Sequence, residues 1–140
     1  MRTSYDALWI RTLTKSELHF LIADVRAGDE DATTRAVAFM CAESFGIWHN
    51  RARAKLCRYF KNHPPSADKC TQMVDAVIRR LIAGCFFEQF RDQLSMAVRF
   101  APERMLDAAT IASCSDKKYI QRYADRVRHM VDSAVPPNDS

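Results

Sequence analysis

The stretch AGDEDATTRAVAFM, Ala27 to Met40, carries the key to how this chain folds. Gly28 follows an apolar helical period and sits where a helix end favours a left-handed residue. Asp29 is an N-cap by type, and Glu30 and Asp31 put negative charge into a first turn, where the helix dipole favours it. Beyond Arg35, the residues Val37, Met40, Cys41 and Phe45 recur at helical spacing until Gly46. Upstream, Thr14 and Glu17 form a T-x-x-E capping box, followed by Leu18, Leu21, Ile22 and Val25. Two helices joined by so short a turn must run antiparallel.

The same punctuation divides the rest of the chain into eight expected helices. SYDALWIRT gives an opening helix with Tyr5, Leu8 and Trp9 on one side. The fourth, IWHNRARAKLCRYFKNH, stops at Pro64 and Pro65, with Trp48, Ala52, Leu56 and Tyr59 as its apolar side. Ser66 or Asp68 starts a fifth, carrying the stripe Val74, Val77, Ile78, Leu81 and Ile82. Gly84 separates it from a sixth built on Phe87, Phe90, Leu94, Ala97 and Val98. Pro102, at an N1 position, opens a seventh, PERMLDAATIAS. The eighth, DKKYIQRYADRVRHMVDSA, is expected to bury Tyr119, Tyr123, Val127 and Met130. No segment alternates with period two between turn signals, so no sheet is expected. The reading is an all-α fold, one domain over residues 1–134, with a frayed tail at 135–140. A right-handed stack of antiparallel helix pairs satisfies it, and so does an irregular compact bundle.

Composition agrees with a globular helical chain. At 140 residues it buries about two thirds of its unfolded surface, enough for a core without staples. Three Gly and five Pro leave few helix breakers. The start, MRTSYDALWIRT, lacks a secretory h-region, and no apolar run approaches the length of a membrane span. Five cysteines are an odd number without a CxxC pair, which points to reduced, mostly buried thiols and a cytoplasmic setting. The net charge of +4 is compatible with a polyanionic partner but does not demand one.

The quoted stretch resembles the turn of a HEAT repeat, where acidic residues precede a helix bearing Arg and then small apolar residues. Asp29, Asp31 and Arg35 match the acidic and basic positions, and Val37 and Ala38 the small apolar ones. Ala32 stands where the family usually has proline. SDKKYIQRYADRV repeats the spacing, with Asp116 and Arg122 as far apart as Asp29 and Arg35, while PSADKCTQMVDAV has the cap and apolar helix without the Arg. The resemblance, to HEAT or armadillo-like repeats, covers part of the chain. It implies stacked helix pairs with a concave surface that binds a protein or, less often, nucleic acid. In either architecture Asp29, Asp31 and Arg35 are expected to form a structural turn and ion pair.

Two basic stripes are the candidate partner surface. Arg51, Lys55 and Arg58 line one edge of the fourth helix, in an interval between Glu43 and Asp68 that holds no acidic residue. Lys118, Arg122, Arg126 and His129 share a face of the eighth. Such stripes can grip phosphates, or can be the solvated faces of amphipathic helices. The leading expectation is a non-catalytic interaction module binding a protein partner in a groove between helix pairs, with nucleic acid as the alternative ligand. A homodimer through the first or last helix would cover terminal apolar faces. A third reading rests on Arg58-x4-His63 and Arg122-x6-His129. Both fit the loose Arg-x4–6-His pattern of HEPN-type ribonucleases, although Tyr follows each Arg where that family usually has a polar residue. No cofactor, metal or membrane is expected, because no set of ligands with the right spacing shares a face. Whether the two stripes lie on one side of the fold separates a polyanion surface from two unrelated solvated faces.

Overall fold

The computed structural model describes residues 9–86 and 89–134. Within them the fold is all-α, with no strand. A single helical turn at 9–11 precedes seven helices: α1 (Lys15–Arg26), α2 (Glu30–Cys41), α3 (Ile47–Asn62), α4 (Ala67–Ala83), α5 (Phe90–Phe100), α6 (Pro102–Ala112) and α7 (Lys118–Ala134). No helix among the described residues is long and apolar enough to cross a membrane.

The helix ends follow from local chemistry. At the start of α1, Thr14 Oγ1 accepts from the Glu17 amide while the Thr14 amide donates to the Glu17 carboxylate at 2.8 Å, closing the capping box. Asp29 takes the Asp31 and Ala32 amides at the start of α2. Gly84 ends α4 in the left-handed conformation at φ +75°. A Cβ there would come within 2.8 Å of Ile120 Cδ1, so this glycine also lets α7 approach.

The helices form two rows. α1, α3, α5 and α7 pack side by side in one, and α2, α4 and α6 in the other, each helix touching the next but one. Contacts between the rows join α1 to α2, α2 to α3, α4 to α5, α5 to α6, α6 to α7 and α4 to α7. The apolar core fills the space between them, with Phe39, Leu56, Phe60, Leu81, Phe90 and Met105 among its fully buried side chains.

Several expectations need correction. α2 stops at Cys41 rather than running to Gly46, and Phe45 is 73% exposed in the following loop. The cause lies far along the chain. Arg80 Nη2 donates to the carbonyls of Met40 and Ala42, each at 2.9 Å, and Arg79 to that of Cys41. Arg53 donates to the Ser44 carbonyl at 2.8 Å and to Ser44 Oγ. Arg80 and Arg79 thus satisfy carbonyls at the end of α2, at the negative end of its dipole, while Arg53 holds Ser44 in the extended segment that follows.

The buried face of α7 is Ile120, Ala124, Val127 and Val131, one residue round from the expected stripe. Tyr119 is exposed, and Tyr123 is half-buried with its ring 4.3 Å from that of Phe86. The smaller side chains face inward because α7 must pass close to Gly84.

Arg35 is exposed, and among the described residues no ion pair joins it to Asp29 or Asp31. The Asp29 carboxylate is committed to the backbone amides of α2, and a six-residue separation turns Arg35 to another side of the helix. Of the five thiols, Cys57 is buried and Cys41 and Cys70 are half-buried, whereas Cys85 and Cys114 are exposed in turns. The opening helix up to Leu8, Phe87 and the tail from residue 135 lie outside the described residues.

Candidate polyanion-binding face

The two rows divide the charge unequally. Helices α1, α3, α5 and α7 carry thirteen Lys and Arg against five Asp and Glu, a surplus of eight. Helices α2, α4 and α6 carry five against six, a deficit of one. The modest net charge of the whole chain conceals this separation.

Two grooves open on the first row. The larger, about 1000 Å³, runs between α1 and α3. Its cations are Lys15 and Arg26 from α1 and Arg51, Lys55 and Arg58 from α3. Its floor is apolar, from Leu18, Ile22 and Ala52, with Phe20 and Trp48 beside them. The smaller groove, about 370 Å³, is bounded by α3, α5 and α7 and carries Lys61, Arg91, Arg99 and Arg126 together with His129. Among the described residues no Asp or Glu lines either groove. Arg58 and Lys61, on neighbouring turns of α3, link the two.

Both sequence-predicted stripes therefore lie on one row of helices. Arg51, Lys55 and Arg58 sit in the larger groove, and Arg126 and His129 in the smaller. Lys118 and Arg122 are exposed on α7 but line neither. Arg58 is partly neutralised by Asp92 of α5, at 2.8 Å. Lys61 donates to Ser95 Oγ at 2.7 Å and is held at the junction of the grooves. Neither Arg-x-His pair shares one of these two grooves: Arg58 lines the larger while His63 stacks on Tyr59 with centroids 4.3 Å apart, at the exposed end of α3, and His129 lines the smaller without Arg122. Among the described residues no three His, Cys, Asp or Glu side chains come together as a metal site.

Trp48, expected in the core, is 41% exposed on the groove wall. The Lys15 ammonium lies 4.1 Å from its ring centroid and the Arg51 guanidinium 5.1 Å, so the indole holds a cation from each wall by cation–π attraction. Phe20 is 66% exposed, on the opposite wall. Sequence reasoning missed Trp48, Lys15, Arg26, Phe20 and the α5 arginines because their meeting is purely spatial. One signal was present: His19 and Phe20 fall off the Leu18, Leu21 and Val25 face of α1.

A different polar cluster lies between the rows. Arg80 bridges Glu43 at 3.1 Å and Gln93 at 2.9 Å, and Arg53 lies 4.9 Å from the Phe39 ring centroid. Burial, then the neighbouring Arg80 charge, lowers Arg53 to about 10, which leaves it cationic at neutral pH. His49 Nε2 lies 2.9 Å from the Leu13 carbonyl, which can only accept, so this nitrogen carries the proton. Nδ1 lies 2.8 Å from the Ser44 hydroxyl. Burial pushes the Cys57 and Cys41 thiols up, the opposite of what a nucleophile needs. This cluster anchors the α2–α3 loop through backbone carbonyls and through the Glu43, Ser44 and Gln93 side chains.

Comparison of the chain with protein-family models, with curated proteins and with solved structures finds no match.

Proposed function

We propose that the protein is a non-catalytic helical interaction module whose α1–α3–α5–α7 face binds nucleic acid. The observation that carries this reading is the alignment of two cation-lined grooves on a single row of helices, with no carboxylate among the described residues of either lining. A polymer with regularly repeated negative charge can engage both grooves at once, and each phosphate neutralised adds affinity by releasing counterions. The interleaved rows support a stack of helix pairs, the arrangement that the HEAT-like turn implies. Free thiols at Cys85 and Cys114 suit a reducing, cytoplasmic setting.

A salt titration tests the reading. Labelled oligonucleotides are titrated with the protein at increasing salt, and log affinity is expected to fall linearly with log salt concentration. Arg51→Glu with Lys55→Glu is expected to make that slope shallower by about one for each phosphate no longer neutralised. Binding that ignores salt, or is absent at low salt, overturns the proposal. Equal binding of polyglutamate transfers the face to an acidic protein partner.

A further inference from the structure

The two grooves differ in more than size. The smaller is built for charge: its apolar contributions are Val98 and Met130, and no Phe, Tyr or Trp among the described residues lines it. The larger combines cations with an apolar floor and two exposed rings. Phosphates gain nothing from such a floor. It suits a ligand that presents a flat apolar surface one sugar's length from negative charge. Duplex nucleic acid does not offer this, because its bases are stacked inside and only edges and backbone reach the outside. An unpaired nucleotide does.

We infer that the α1–α3 groove seats an unstacked base of a single-stranded nucleic acid while the rest of the face holds the strand's phosphates. The inference deepens the nucleic-acid reading and rests on it. Phe20 supplies the open ring for stacking, since two thirds of its surface is uncovered. Trp48 positions the rim: its ring keeps Lys15 and Arg51 at the groove mouth, where a phosphate flanking the seated base would meet them. At about 1000 Å³ the space reaches the top of the range of small-molecule sites, roughly 300–1,000 Å³, so a base and its sugar fit without remodelling. An acidic amphipathic peptide would match this groove too, but would leave the second cation-lined groove without a role.

The test uses the full chain and four probes: a single-stranded oligonucleotide, its duplex, an abasic strand of equal length, and inorganic polyphosphate. The single strand is expected to bind more tightly than the duplex or the abasic strand at equal salt. Phe20→Ala is expected to weaken single-strand binding by about ten-fold, as loss of one stacked base does, with the salt slope unchanged because every cation stays in place. In a Trp9→Phe background, which leaves Trp48 as the only indole, the single strand is expected to change its emission and polyphosphate is not. The exposed position of Phe20 keeps the substitution from disturbing the core. Equal affinity for all four probes, or indifference to Phe20→Ala, removes the base seat; if salt dependence persists, the polyanion face survives that result. Absence of salt-dependent binding to every probe removes both.

Discussion

The two rows of this molecule use arginine and lysine in opposite ways. In the α2–α4–α6 row three of the five cations serve the protein itself. Arg80 and Arg79 cap the end of α2 and meet Glu43, and Arg104 pairs with Asp75 at 2.7 Å. In the α1–α3–α5–α7 row most cations border open grooves, with Arg58 bound to Asp92 as a partial exception and the buried Arg53, which holds Ser44, as a full one. A cation count therefore says little until one knows what each charge faces. A guanidinium among carbonyls is a structural part, and one beside other cations is a surface suited to an anion.

Arg80→Leu strikes this contrast hardest. It removes the charge that satisfies Met40 and Ala42 and leaves Gln93 buried beside an apolar side chain. A loss of about 3–5 kcal/mol is expected, the range for removing one member of a buried ionic cluster. Urea unfolding measures it, and a loss no larger than that of an ordinary surface substitution would mean that the cluster is not structural. The Arg51→Glu and Lys55→Glu pair is the counterpart on the other row. Both side chains are exposed, so stability should stay within about 0.5 kcal/mol per site while binding collapses.

The next largest effect is at Gly84. Gly84→Ala forces an L side chain into a left-handed backbone and drives Cβ against Ile120. The expected cost is about 2 kcal/mol, from the left-handed penalty together with the displacement of Ile120. The change loosens the seating of α7 on the α4 end, so thermal unfolding should shift downward. An unchanged midpoint would show that α7 has other room to settle.

The smallest effect separates the two rows most finely. Asp92→Asn releases Arg58 from its ion pair and raises the positive charge of the larger groove. Polyanion binding should strengthen at low salt, with a stability change below about 1 kcal/mol. Asp75→Asn frees Arg104 in the same way on the opposite row and should leave binding unchanged. Equal effects of the two substitutions would mean that net charge, rather than the face, governs binding.

Much of the fold was legible because its signals are local. The capping box at Thr14, the Asp29 cap, the Pro102 start and the Gly84 stop each depend on a few consecutive residues, and each stands where the pattern puts it. The site was half legible. Arg51, Lys55 and Arg58 stood out because a long interval lacks carboxylates, yet Trp48 shared helical spacing with Ala52, Leu56 and Tyr59 and so read as core. Spacing identifies a helix face but not what covers it. Among the described residues no neighbour fully covers that part of α3, and the tryptophan remains on the groove wall.

The helices, their caps and the all-α class were written into the chain directly, since these arise from contacts within a turn or two. The early end of α2 was not, because the arginines that hold it and the segment beyond it arrive from α4 and α3. Nor was the placement of both basic stripes on one row. Helix packing sets which charges are desolvated among carbonyls and which are left facing one another across water, and that depends on neighbours distant in sequence.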